Sequence, residues 1–312
     1  MRIVIAGGTG FLGGPLAEVY AEEGHDVRVL TRSLSDGEAR HDPGTGKPGI
    51  TRVGWHPNGD AGLGARVVDG ADAVVNLAGE PIGDARWTPQ RKAKLRDSRI
   101  LATRSLAAAI NAATQPPQVM VSASGAGYYG PAGAEPKTED APAGTDFMAK
   151  LAEEWEAEAR QAERAGTRVV RLRTGVVLEK VGGALPRMLT PFRFFVGGPL
   201  GSGRQYISWI HRLDVIEMIR WIIETPGVSG PINATAPHPV TNREFAKALG
   251  RAIRRPSLLP APAFALRLIV GEMADPLLLT GQRVIPTVAQ SHGYHFRYPE
   301  IDIALRGIFG EG

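Results

Sequence analysis

The first fourteen residues, MRIVIAGGTGFLGG, constrain this 312-residue chain more than any other stretch. Arg2 to Ala6 (RIVIA) is a short, nearly continuous apolar run, the pattern of a strand buried on both faces of a parallel sheet. Gly7, Gly8 and Gly10 then turn the chain. Phe11, Leu12, Leu16, Ala17 and Tyr20 recur at helical spacing and begin a helix. Gly7 permits a tight turn, Gly10 removes the Cβ that would block a pyrophosphate, and Gly13 lets the helix pack close to the strand. The free N–H groups and positive dipole end of that helix, which opens at Phe11 and Leu12, would face the phosphates. Strand, glycine turn and helix in this order predict a dinucleotide site.

The rest of the composition narrows the class. Hydrophobic residues make up 43% of the chain, ample for a core. Cysteine is absent, which excludes disulfides, a thiol nucleophile and cysteine-ligated metals. The seven histidines show no HExxH or clustered spacing, so no catalytic metal is expected. A formal charge of only +4 with dispersed Lys and Arg argues against a nucleic-acid surface. No apolar run reaches the roughly eighteen residues a membrane span needs, and no membrane partner is expected. The first residues already read as a core strand rather than an export signal, so a cytoplasmic location is the expectation.

Strand and helix signals then alternate. Val27–Leu30, Ala73–Leu77, Val119–Ser122 and Arg168–Leu172 read as strands, and the stretches near Pro89–Ala113 and Phe147–Ala165 read as helices. This alternation predicts an α/β fold with a doubly wound parallel sheet. Asp36 to Gly49 reads as a polar loop. From about Gly182 the rhythm gives way to glycines, prolines and shorter elements. Leu213 to Glu224 reads as a helix and Pro231–Ala234 as a strand, together returning to the main sheet. The expected division is a nucleotide-binding domain over 1–180, rejoined by 211–235, and a smaller α/β substrate-binding region over 181–210 and 236–312. Its last part, 256–306, reads as an appended module.

The second strand selects the nucleotide. Sites for NAD commonly place a carboxylate at its end, on the ribose 2′-hydroxyl. Here Thr31, Arg32 and Ser33 stand there instead. Arg32 can form charge-assisted hydrogen bonds to a 2′-phosphate, each worth roughly 1.5–3 kcal/mol, so NADP is the expected cofactor. After Asn76, Ala78 and Gly79 are small enough to let a cofactor approach the backbone.

GGTGFLG, NLAG and SASGAGYYG occur in the order seen in the extended branch of the short-chain dehydrogenase/reductase superfamily. More narrowly, WTPQRKAKLRDSR (87–99), GEMADPLLLTGQRVIP (271–286) and GYHFRYPEIDIAL (293–305) resemble an atypical epimerase-like family within it. The resemblance implies a Rossmann-type sheet, cofactor contacts at Gly7, Gly10, Gly13, Arg32, Ala78 and Ser122, and a sugar-nucleotide-like substrate. It also implies a Ser or Thr followed by a Tyr-x-x-x-Lys pair for proton transfer. Ser124 fits the serine position, but the expected Tyr and Lys positions are Phe147 and Leu151. Lys150 is one residue off, turned roughly 100° around the helix. A phenyl ring exchanges no proton, and loss of a general acid/base costs on the order of 10²–10⁴ in rate. Tyr128 and Tyr129 are therefore the substitute acid/base candidates, with loop packing the other reading for both.

Three further residues are substrate-binding candidates. Glu80 is a carboxylate after the NLAG turn. Arg91 and Ser98 share a helix face with Leu95. Arg204 lies in GGPLGSGRQYISWIHRLD (197–214), which resembles the epimerase segment whose arginine engages a substrate diphosphate. For His211 a capping or buried structural role outweighs a catalytic one. A homodimer is compatible with this reading, and so is an alternative function as a non-catalytic NADPH-binding sensor.

Overall fold

The computed structural model describes residues 1–41, 49–62 and 64–310. Eight strands form the main sheet: β1 (Arg2–Ala6), β2 (Asp26–Thr31), β3 (Ala39–His41), β4 (Ile50–Gly54), β5 (Ala73–Asn76), β6 (Val119–Gly125), β7 (Arg168–Thr174) and β8 (Gly230–Ala234). Their spatial order is β8-β7-β6-β5-β1-β2-β4-β3, parallel throughout except for the edge strand β3. The chain leaves β1 toward β2 and β4, then reverses and builds β5 to β8 on the other side. The reversal opens a crevice beyond the carboxyl ends of β1 and β5, where ligands of such sheets bind.

Alternation along each strand divides the core. Ile3 and Ile5 face helices α1 (Gly13–Glu22) and α6 (Arg212–Glu224), packing with Leu16, Tyr20, Val215 and Ile219. Val4 and Ala6 face the opposite layer, α2 (Gly64–Val68) and α3 (Pro89–Ala112), packing with Val68, Leu106 and Ile110. Helix α4 (Phe147–Arg160) lies beside α3 and is capped by the Asp146 carboxylate, which accepts the Ala149 N–H.

A separate core holds α5 (Leu185–Arg193), α7 (Asn242–Ala252) and the late helix Ile301–Phe309 together through Leu189, Phe192, Phe245, Leu249 and Leu305. Helix α8 (Ala263–Val270) lies between α7 and that late helix in sequence, and none of its eight residues is buried. The terminal segment is tied back to helix α6 by Asp214, whose carboxylate accepts the N–H groups of Arg297 and Tyr298.

The strand between β2 and β5 departs from the sequence expectation. Ile50–Gly54 joins the sheet beside β2, although only a polar loop was expected before it. Ala39–His41, inside that expected loop, forms an exposed antiparallel edge. Residues 42–48 of the loop lie outside the described residues.

Candidate active site

The glycine turn is built against its neighbours. Gly7 adopts φ +79°, and a Cβ there would stand 2.8 Å from the Leu77 carbonyl. A Cβ on Gly13 would stand 2.3 Å from the Gly7 oxygen, so helix and strand approach as closely as backbone allows. Gly10 differs: its Cβ would meet only the Gly7 oxygen, at 3.1 Å, and the residue is exposed. No side chain caps α1; the Gly14 N–H donates to the Gly10 carbonyl at 2.9 Å and Pro15 has no N–H, which leaves the amides of Phe11, Leu12 and Gly13 without a partner among the described residues. Leu12 packs into the sheet core, and the Phe11 ring lies under Gly182 and Gly183 with the Arg212 guanidinium 5.6 Å from its centre. These features fit a dinucleotide pyrophosphate: open donors, a bare Cα and a fixed turn.

Thr31, Arg32 and Ser33 follow at the end of β2. The Thr31 and Ser33 hydroxyls lie 2.9 Å apart, and the Ser33 N–H donates to Thr31 Oγ1. Arg32 is 71% exposed, with Nη2 3.8 Å from Glu80 Oε1. Glu80 in turn gathers Arg91 Nη1 at 3.2 Å and Lys94 Nζ at 3.5 Å. Burial would raise the Glu80 pKa, but the hydrogen bond from Arg91 and the charge of Lys94 outweigh it and hold the carboxyl below its ordinary range.

Helix α3 fixes this corner. Ser98 Oγ accepts the Glu80 N–H at 3.1 Å, and buried Arg99 donates to the Glu80 and Leu95 carbonyls, both at 2.9 Å. Burial and the neighbouring Arg91 push the Arg99 pKa down to about 10. A Cβ on Gly79 would come 3.2 Å from the Arg99 guanidinium carbon, so Arg99 and Gly79 set the loop's path. Arg32, Glu80, Arg91 and Ala78 are thus brought to one side of the crevice.

The expected catalytic hydroxyls separate. Ser122 is buried in β6, next to Asn76 in register. Ser124 is buried too, and its Oγ donates to Glu156 Oε1 at 2.8 Å. Glu156 forms a bidentate pair with Arg173, whose Nη1 donates to the Tyr129 hydroxyl at 2.9 Å. That hydroxyl donates to Asn233 Oδ1 at 2.7 Å. Burial, opposed by Arg173, pushes the Tyr129 pKa up to about 12. Both hydroxyls are therefore engaged in a buried network. Tyr128 is different: half-buried, its ring stacked 3.5 Å from the Arg173 guanidinium carbon, and its hydroxyl without a partner among the described residues.

Phe147 opens α4 and meets Trp87 edge-on at 5.2 Å. The Lys92 ammonium lies 5.2 Å from the Phe147 ring centre and pairs with Glu272. Leu151 is buried, and Lys150 points outward. Arg204 sits apart in an exposed turn, its side chain without a partner among the described residues. His211 caps α6 by accepting the Leu213 N–H and stacks on Tyr298 at 3.9 Å.

Glu156, Arg173, Glu139 and Asn233 went unread in the sequence. The one available signal was RVVRLRT, a strand with three arginines among its seven residues, of which Arg173 is the buried one. Glu139 Oε1 accepts the N–H groups of Asn233 and Val288, joining β8 to the terminal segment, and its carboxyl is raised by burial.

Comparison with known proteins places this geometry. Residues 3–234 match the NAD dependent epimerase/dehydratase family, and 261–308 match a domain of unknown function, DUF1731. The chain is 41% identical over 310 residues to the chloroplastic SDR39U1 homolog of Arabidopsis thaliana, covering 99% of this chain and 86% of that one. It is 38% identical over 312 residues to epimerase family protein YfhF of Bacillus subtilis, covering 100% and 99%. Human SDR39U1, crystallised with NADPH, superposes with a TM-score of 0.85 at 36% identity, covering 99% of both chains. A Corynebacterium glutamicum structure described as a nucleoside-diphosphate sugar epimerase superposes at 0.77 and 32% identity, covering 99% of this chain and 58% of that one. The glycine turn, the strand order and the terminal segment thus have one common explanation: the chain belongs to the NAD dependent epimerase/dehydratase family, in the SDR39U1-like group that carries DUF1731.

Proposed function

We propose that the chain binds NADP(H) and acts as an oxidoreductase or epimerase on a small anionic substrate, with a nucleoside-diphosphate sugar the favoured class. The observation that carries this reading is the glycine cradle, open only at Gly10 and the first turn of α1, with exposed Arg32 at its rim. The α1 amides hold the pyrophosphate, Arg32 the 2′-phosphate, and Ala78 and Gly79 admit the adenosine side. The names of the human and corynebacterial relatives support the cofactor and the substrate class.

When bound, the nicotinamide supplies hydride chemistry. The chain's own contribution is a proton at Tyr128 Oη, because the Ser124 and Tyr129 hydroxyls are spent on Glu156, Arg173 and Asn233. The substrate wall is drawn from parts of 181–210 and 236–312, with Glu80 and Arg91 as polar contacts on the cofactor side of the crevice and exposed Arg204 as the candidate contact from the other side. The test is incubation with NADP(H) and a panel of nucleoside-diphosphate sugars, following nicotinamide absorbance and deuterium uptake from solvent. A signal lost in Tyr128→Phe supports the reading.

One observation favours a second reading. Phe147, packed by Trp87 and roofed by Lys92, stands where the family places its proton-transfer tyrosine. A protein that holds NADPH without turnover, as a sensor, has no need of that hydroxyl. Silence across the whole panel despite tight NADPH binding selects this reading.

A further inference from the structure

Helices α5 and α7 end in the same hydrogen-bond pattern. After α5, the Phe195 N–H donates to the Phe192 carbonyl and the Val196 N–H to Pro191, both at 3.0 Å. After α7, the Arg254 N–H donates to Arg251 at 3.1 Å and the Arg255 N–H to Gly250 at 2.8 Å. This Schellman closure needs one left-handed residue, which is usually glycine. Here the positions are held by Phe195 (φ +62°) and Arg254 (φ +54°). Every other left-handed residue among those described is a glycine. The two exceptions belong to one surface, for the Arg255 guanidinium carbon lies 4.6 Å from the Phe195 ring centre. Phe195 is 57% exposed, so its strain is not repaid by burial.

That surface is apolar beyond the two helix ends. Phe194, Val196, Leu258 and Leu259 are exposed beside Phe195. The Leu259 N–H donates to the Gly197 carbonyl and the Gly201 N–H to Ala261, which stitches the two segments together. They lead into α8, which buries nothing and displays Phe264, Leu268 and Ile269. Next to this patch is a hollow of about 460 Å³ lined by Lys247, Arg251, Arg254, Arg255 and Leu258. Among the described residues no carboxylate lines it, although Arg251 pairs with Asp302 at 2.7 Å and Arg254 is itself partnered, which leaves Lys247 and Arg255 as its cations for phosphate.

We propose that this face docks peripherally on an anionic lipid bilayer. The aromatic and aliphatic side chains enter the headgroup–acyl boundary while the cations meet lipid phosphates. A second copy is a poorer occupant, because a two-fold contact sets the same basic hollow near itself. The absence of a membrane-spanning run had argued against a membrane partner; among the described residues no helix is long and apolar enough to cross a membrane, but a surface helix needs no such length.

The test uses the full chain with vesicles of phosphatidylcholine alone and with about one-third phosphatidylglycerol. Sedimentation with the anionic vesicles, several-fold weaker with the neutral ones and weakened by about 0.5 M salt, is the expected result. Phe195→Gly combined with Arg254→Gly keeps both left-handed turns. It should leave Tm and NADPH binding unchanged or better while lowering vesicle binding about tenfold. Phe264→Ser with Leu268→Ser, which leaves those turns alone, should lower it similarly. Absence of sedimentation with anionic vesicles overturns the proposal. So does a dimer in light scattering that the glycine variant dissolves, if no vesicle binding accompanies it. A lower Tm with unchanged vesicle binding in the glycine variant also overturns it, assigning Phe195 to packing.

Discussion

Arg173 and Glu156 form a bidentate ion pair inside the protein, Nε to Oε1 at 2.8 Å and Nη2 to Oε2 at 2.9 Å, and Ser124 shares Oε1. Both side chains are about as buried as the aliphatic core. The pair draws the two best-placed hydroxyls of the SASGAGYYG stretch into the interior. It therefore leaves Tyr128 as the hydroxyl of that stretch without a partner among the described residues, the one to which the proposed reading assigns the proton.

Glu156→Gln leaves the Arg173 guanidinium without its counter-ion and should cost about 3–5 kcal/mol of stability. Arg173→Met should cost a similar amount. The double variant Arg173→Met with Glu156→Leu should recover much of the loss, because no buried charge then remains. Urea unfolding of the three variants at a common slope checks this. Additive losses would mean the residues do not act as a pair.

The glycine turn makes a contrast between stability and binding. Gly13→Ala drives a Cβ to 2.3 Å from the Gly7 oxygen and should lower Tm and NADPH affinity together. Gly10→Ala meets only that oxygen, at 3.1 Å, so it should change Tm little. It should still weaken NADPH at least tenfold, because the new methyl stands where a pyrophosphate must approach. Thermal melts and NADPH titrations of both variants separate the two effects.

What was legible in the sequence follows from how local the signals are. The turn at Gly7–Gly13 is a contiguous pattern, and β1 and α1 stand where it places them. The strands at Asp26–Thr31 and Arg168–Thr174 carry enough apolar residues to announce themselves. β4 does not: its ITRVG puts Thr51 and Arg52 on an incompletely covered part of the sheet, and its partner β3 is wholly exposed. Ser124 reads identically whether it faces the cleft or Glu156, which is thirty-two residues away. The exposed apolar face of α8 was also illegible, since AFALRLIV has the composition of a buried helix.

His211 supplies a pH dependence. Burial, opposed by the charge of Glu179 and aided by those of Arg212 and Arg297, pushes its pKa down to about 4 from 6.5. The unfolded chain therefore takes up a proton as pH falls below 6.5, while the native chain does not until about 4. Stability is complete above pH 6.5 and lost as pH falls from there to 4, by about 3 kcal/mol. His211→Asn keeps a helix cap and loses the Tyr298 stack, so it should be less stable at neutral pH and lack this slope. Unfolding free energies at several pH values between 4 and 7 check it.

The most direct measurement is a fluorescence titration of NADPH and NADH against the wild-type chain and Arg32→Ala. Wild type should prefer NADPH by about ten- to a hundredfold, the worth of one or two charge-assisted hydrogen bonds to the 2′-phosphate. Arg32→Ala should lose most of that preference while its NADH affinity stays the same. Equal affinity for the two nucleotides, unaltered by Arg32→Ala, would contradict the account.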